Sequence, residues 1–524
     1  MSESQKETAK VVDIDRLVSS MKRELDYYWS LGDIPDMGSK YCMIYKVQQH
    51  IREVDKFSYE PFMLSIGPYH NGASRLRGME KMKWGFLDEI LKLNCRTKLL
   101  DYLTTLQGLS KQARSCYSED VKMGNEDFLQ MLLLDGCFIL IGLGGCKRLS
   151  APTGGTQYPE HAADSISSTE NIPTNQDQDL NSVEVSNESD QQSEQSGQWF
   201  IRFLNHDLFL LENQIPFFIV SKIFELVAGT EASASDWTDE IVIFVETALR
   251  WYPKAISESE KPKDFCHLLH LCHMYFRPSN RSEYEHCYHI RAQYFDKFLI
   301  FGRKYLKIGH DLDANDPSIP PSQEVDYLQG GQALNRWRRT SQYLEAGIKF
   351  KKRDYDNFKP HSLLDVKFTN GTMEIPCIIV DEYTGTLFRN LIAFEQTCPQ
   401  FGDDFTAYIV FLSQLISMPE DVTVLARREI IVHHLDSDEM VSDLFTMLSK
   451  DVVFDFNGQY YLKSLCLTME TYYQSRLNRW IAWLWLNHFS NPWLGLAAFT
   501  AVLVLVCTII QTVFGILAYT NPPG

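Results

Sequence analysis

The sequence predicts a mainly α-helical α+β body with one small antiparallel β-hairpin and a single C-terminal transmembrane helix. Three observations point there. Apolar residues recur at helical spacing through most of the chain. The segment LLDVKFTNGTMEIPCIIVDEYT at 363–384 alternates apolar and polar positions around Asn370-Gly371, a pair suited to tight hairpin turns. From Trp493 to Tyr519 roughly 27 residues carry no charge, about 40 Å of helix.

With 524 residues, 44% hydrophobic and 23% charged, the chain has enough apolar mass for a sizeable core. We divide it into an N-terminal half of the body (1–150), an acidic insertion (151–198), a C-terminal half (199–471), an interfacial segment (472–491), a span (492–519) and a short tail (520–524). The formal net charge of -18 is concentrated, because nine acids from Glu160 to Glu194 lie in the insertion, which has no Lys or Arg. Such an acidic chain has no electrostatic reason to hold nucleic acid, and that partner is set aside. The twelve cysteines form no CxxC pair, and Cys137 and Cys377 sit in apolar runs where a thiol behaves as a small hydrophobe.

Taken in order, Val12, Leu17, Met21, Leu25 and Tyr28 predict an amphipathic helix over 11–31, ended by Gly32 and Pro35. Residues 41–70 hold two strand-like apolar stretches stopped by Gly67-Pro68, and 80–107 and 126–143 return to helical spacing. The second of these helices is apolar almost all round and belongs in the core. The insertion is polar and poor in large apolar residues, which predicts disorder, either as a tolerated loop or as a carrier of phosphorylatable serines. Beyond it, WFIRFLNHDLFLLENQIPFFIVSKIFEL packs helical spacing around a polar cluster. After the hairpin, helices are expected at 386–396, 405–417, 421–434 and 438–448, completing one body from both halves. Tyr472 to Phe489 mixes Arg476 and Arg479 with Trp480, Trp483 and Trp485, reading as an interfacial helix or a last core helix. Lys463, Arg476 and Arg479 precede the span and no acid follows Glu470, which places the body in the cytosol. A lipid bilayer is then a partner, and Gln511, Gly495 and Gly515 offer self-association through the anchor.

Several strings carry a resemblance. SIGPYHNG (Ser65 to Gly72), DFLQMLLLDGCFIL (Asp127 to Leu140), DLFLLENQIPFFIVSKIFEL (Asp207 to Leu226), HLLHLCHMYF (His267 to Phe276), YLEAGIKFK (Tyr343 to Lys351) and LFRNLIAFEQ (Leu387 to Gln396) resemble the plant DUF247 family, also called UPF0481. The shared motif positions are Gly67, Pro68, Asp135, Glu212, Asn213, Gln214, Pro216, Asn390 and Glu395. The resemblance implies a plant membrane protein, with the plasma membrane favoured. Because some grass members are implicated in pollen-side self-incompatibility, it also implies a recognition determinant. It brings no catalytic assignment.

The residues themselves name no reaction. Asp207 and Glu212, five apart, would face different sides of a helix, and Glu212, Asn213 and Gln214 read as residues that end a buried helix before Pro216 opens the next. His267, His270 and His273 share a helical neighbourhood with Cys266 and Cys272 and are weak metal candidates, but Leu268, Leu269 and Leu271 make a packed helix the simpler reading. The looser His286, Cys287 and His289 group and the His433-His434 pair carry less. No GxSxG elbow or phosphate-cradling loop is present, and no cofactor is expected. The basic runs at 336–339 and 349–353 suit a solvated face, anionic lipid or an acidic partner. Two classes remain: a membrane-tethered interaction protein with an unidentified protein partner, which is preferred, and an enzyme whose site the sequence does not reveal.

Overall fold

Helical periodicity in the first half of the chain becomes α1 (Gln49–Val54), α2 (Glu80–Leu93), α3 (Leu99–Ser115) and α4 (Asn125–Gly142). The structure, a computed structural model, describes residues 18–22, 44–144, 200–229, 236–256, 261–279, 337–355, 360–475 and 492–520. The insertion at 151–198, most of the interfacial segment and the His286, Cys287 and His289 group lie outside the described residues, as does most of the helix expected over 11–31. Beyond the insertion come α5 (200–208), α6 (Phe217–Ala228), α7 (Asp236–Ala248), α8 (Leu268–Tyr275) and α9 (Thr340–Glu345).

Strands β1 (Lys349–Arg353), β2 (Lys367–Thr369), β3 (Thr372–Pro376) and β4 (Ile378–Val380) follow, then α10 (Thr384–Thr397), α11 (Asp404–Leu415), α12 (Pro419–Ala426), β5 (Ile431–His433), α13 (Asp438–Leu448), α14 (Lys463–Gln474) and α15 (Pro492–Thr520). The hairpin forms at its predicted turn. Asn370 and Gly371 both take positive φ, 50° and 75°, and Phe368 faces Met373 across the antiparallel β2–β3 ladder. The sheet holds more than the hairpin, because β1 runs parallel to β3 on its other side. A second, two-stranded sheet pairs β4 with β5 in parallel, and α10, α11 and α12 provide the long crossover such a pair needs. The helix expected over 421–434 therefore stops at Ala426, where Glu429 at φ 56° turns the chain into β5.

Helix α4 is buried without a break over 131–140, as its uniformly apolar sequence requires. It packs on α2, α3 and α6, so elements on the two sides of the insertion share one interface. Gly136 permits the closest approach there, since a Cβ at that position would overlap Ile223 Cδ1. In the C-terminal part α10, α11, α12 and α13 pack together, and the 3-10 turn Lys56–Tyr59 seats against α10. The buried side chains form one apolar cluster from Ile44 to Met469.

The expectation of a C-terminal transmembrane helix is corrected. Helix α15 forms, with described side chains such as Phe499 and Phe514 exposed at 65% and 66%. Among the described residues, however, no single helix is long and apolar enough to cross a membrane, and the apolar stretch in α15 is Phe499–Phe514. At 1.5 Å per residue that stretch covers about 24 Å, against about 30 Å of bilayer hydrocarbon. Trp493 and Tyr519 are therefore not assigned as the ends of a span.

Candidate functional site

Among the described residues of the two strand-like stretches at 41–70 there is no sheet, and Ile44 alone makes a bridge, to Tyr117. Backbone groups in this segment must still find partners, and side chains from distant helices supply them. Asp207 Oδ1 accepts the Phe62 N–H at 2.7 Å, and its Oδ2 accepts those of Met63 and Leu64, both at 2.8 Å. Asn213 Oδ1 accepts the Ile66 N–H at 2.7 Å while its Nδ2 donates to the carbonyls of Leu64 and Asp207. Gly67 N–H donates to Asp135 Oδ2 at 2.8 Å. The segment is thus stitched down almost residue by residue.

Gly67 is required at the end of this seam. Its φ of +78° belongs to the left-handed region, and a Cβ would collide with the Gln214 carbonyl oxygen. Asp135 in turn pairs with Lys83 Nζ at 2.7 Å, and the same ammonium donates to the Ser65 carbonyl at 2.6 Å. Burial pulls the Lys83 pKa down, but the Asp135 and Glu80 carboxylates outweigh it and hold the amine above its usual value.

The LLENQIP turn supplies the other half of the frame. Glu212 Oε1 accepts the Val47 N–H at 2.6 Å and its Oε2 meets Arg52 at 2.5 Å. Gln214 Nε2 donates to the carbonyls of Leu208 and Leu210, and its Oε1 accepts the Leu269 N–H. Pro216 is the N-cap of α6. Asn390, from α10, accepts the Leu211 N–H at 2.8 Å and donates to the Ser58 carbonyl, 332 residues away from it in sequence, at 2.8 Å, tying the turn through α10 to the segment at Ser58. Glu395 accepts the N–H groups of Phe405 and Thr406 and the Thr406 hydroxyl, and meets His273 Nε2 at 2.7 Å.

The motif residues therefore converge structurally without forming a catalytic constellation. Asp207 and Glu212 address different backbone segments, so they do not act as an acid–base pair. His267 Nδ1 accepts the His270 N–H as the N-cap of α8, His270 Nδ1 accepts the Cys266 N–H, and His273 is turned to Glu395. One ring nitrogen of each is thus engaged with a different partner, and among the described residues no group of three or more His, Cys, Asp or Glu is placed to hold a metal ion. Burial pushes His267 down to about 3, with His273 adding to the shift. His433 Nε2 meets Asp438 at 2.9 Å beside the end of β5.

A groove of about 680 Å³ opens elsewhere on the surface, and no local sequence pattern announces it. Residues 337–342, α11, α13 and the irregular segment 452–456 build it. Its lining mixes the apolar Val410, Val452, Phe454 and Phe456 with the polar Gln342, Gln414, Ser417, Thr446 and Ser449. Arg338 donates to Glu470 through Nε at 2.9 Å and Nη2 at 2.7 Å, and Arg339 Nε donates to Asp421 at 2.8 Å. Within the basic run at 349–353, Lys351 and Lys352 meet Asp354 and Glu429. Trp337 also lines the groove; it is 2% exposed, packs edge-on to Phe411, and its Nε1–H has no hydrogen-bond partner among the described residues.

The chain is 27% identical to the UPF0481 protein At3g47200 of Arabidopsis thaliana over 92% of this chain and 88% of that protein. It is 22% identical to the putative UPF0481 protein At3g02645 of the same plant over 95% and 94% of the two chains. No solved structure matches. The family described as DUF247, plant protein of unknown function, matches residues 44–507, and the chain belongs to that family.

Proposed function

We propose that this chain is a protein-recognition module, a rigid helical body that binds a protein partner. One observation carries the reading. The motif residues Asp135, Glu212, Asn213, Gln214, Asn390 and Glu395, and Asp207 beside them, are all buried and direct their polar atoms at backbone groups or charged partners of other segments. Side chains used in this way build a scaffold and are not available for proton transfer or nucleophilic attack. The family resemblance gives the proposal a specific form, a pollen-side determinant of self-recognition.

The test is crosslinking and affinity capture of the tagged full-length chain from its native tissue. Recognition predicts a protein partner at defined stoichiometry whose binding is reconstituted with purified components. Turnover of a small substrate by the same preparation, abolished by substitution of a single surface residue, would overturn the reading in favour of an enzyme. For the self-recognition form, transfer of the gene between genotypes should change pollen compatibility, and unchanged compatibility removes it.

A further inference from the structure

We propose that the open edge of strand β1 is the partner-binding site of this module and that it takes an extended acidic segment of the partner as a further strand, an inference that rests on the recognition reading above. In the three-stranded sheet β3 is central, and β1 and β2 are its edges. The Lys349 N–H donates to the Gly371 carbonyl at 2.8 Å, so Lys349, Lys351 and Arg353 address β3. Main-chain groups alternate in direction along a strand, which turns the N–H and C=O of Phe350 and Lys352 away from β3. These outward groups meet no hydrogen-bond partner among the described residues. The strand is reached from solvent, since Lys349 is exposed and the side chains of Lys351 and Lys352 are 57% and 39% exposed. β2 is the lesser edge, three residues long and packed on α14.

Charge decides what this edge accepts. On a chain of net charge -18, the three strands carry five basic residues, Lys349, Lys351, Lys352, Arg353 and Lys367, against the single acid Glu374. Lys351 and Lys352 meet Asp354 at 3.0 Å and Glu429 at 3.2 Å, but both carboxylates are 76% exposed, and ion pairs so open to water hold little and exchange readily. Arg353 donates to the Asp365 carbonyl, and neither it nor Lys349 has a carboxylate partner among the described residues. A second copy of this chain would lay KFKKR against KFKKR, and like charges directly across a strand pair are unfavourable. Lysines on an edge strand thus repel self-pairing and admit a strand of opposite sign. Nucleic acid has no main chain to continue the ladder, whereas a peptide supplies N–H and C=O in alternation to Phe350 and Lys352.

The experiment pans a phage-displayed library of random peptides on the full-length chain and titrates the enriched sequences in solution. The proposal expects Asp or Glu alternating with Val, Ile or Thr in those sequences. It also expects the amides of Phe350 and Lys352 to gain about tenfold protection from hydrogen exchange when peptide is added. Lys352→Pro removes an outward N–H that the ladder does not use, so the fold should persist while peptide affinity drops about tenfold. A double variant, Lys349→Glu with Lys351→Glu, should lose the acidic peptides and gain their Lys-substituted counterparts. No enriched peptide, enriched peptides without acidic residues, an N-methylated peptide that binds as well as its parent, or unaltered exchange at the two amides each overturn it. Protection of those amides in the free chain that disappears on deletion of 151–198 would make the acidic insertion the occupant and likewise overturns it. If the tissue partner is captured equally by wild type and Lys352→Pro, recognition stands and the edge assignment alone fails.

Discussion

At the scale of single residues, this protein spends its buried charge and amides on holding one irregular segment in place. Residues 62–67 have neither helix nor sheet to satisfy their N–H groups, and Asp207, Asn213 and Asp135 stand in for a neighbouring strand. Gly67→Ala tests that seam most directly. It introduces strain at φ +78° and a clash with Gln214, so we expect a loss of roughly 2–4 kcal/mol, read as a lower urea midpoint of the full chain. A midpoint within error of wild type would show that the segment is held elsewhere. Buried histidines give a second prediction. Burial lowers His70 to about 4 and His267 to about 3, against 6.5 when free, so both fold as neutral rings. Their contribution is complete above pH 6.5 and is lost as pH falls toward those folded values, about 2–3 kcal/mol each by pH 4.5. His267→Asn keeps an N-cap acceptor without a titrating ring, and its stability should fall less steeply between pH 7.5 and 4.5 than the wild type's. Parallel curves would remove the assignment.

Among the elements, local signals and tertiary demands divide cleanly. The β2–β3 hairpin follows from Asn370-Gly371, whose backbone tolerates the positive φ a two-residue turn needs. Gly371→Ala adds strain at φ 75° and brings a Cβ within 2.6 Å of the Tyr472 hydroxyl, so a loss of about 1–2 kcal/mol is expected in thermal unfolding. Asn370→Gly should stay within about 0.5 kcal/mol, and equal losses for the two would argue against the turn geometry. Strand β5 was invisible because IVHH continues an apolar helical pattern, and only pairing with Ile378 to Val380 makes it a strand. The segment 41–70 failed as strand for the complementary reason: its partners are side chains. In α15 the absence of charge over Trp493 to Tyr519 suggested a span, while the described apolar stretch is shorter than a bilayer core.

For the whole molecule, one apolar cluster joins elements from before and after the insertion, and α4 against α6 is the tightest of those contacts. Gly136→Ala should lower the thermal midpoint by forcing Ile223 aside, at a cost of about 1–3 kcal/mol. Ile223→Val removes the colliding Cδ1, so the double variant should recover part of that loss, and the described body should still unfold in a single transition. Simple additivity of the two substitutions would place the coupling elsewhere.

The sequence by itself determined the family, the helices with strong periodicity, the hairpin turn and the buried position of α4, because each of these follows from neighbours within about ten residues. It also marked Glu212, Asn213, Gln214 and Asn390 as members of a motif. Tertiary structure alone decided what those residues do, since the acceptors and donors they meet lie up to 332 positions away. It likewise decided the parallel strand pairs and the groove at Trp337, whose walls come from four separate stretches of chain. Hydrogen bonding and shape complementarity between distant segments have no period to read, which is why they emerge only once the chain is folded.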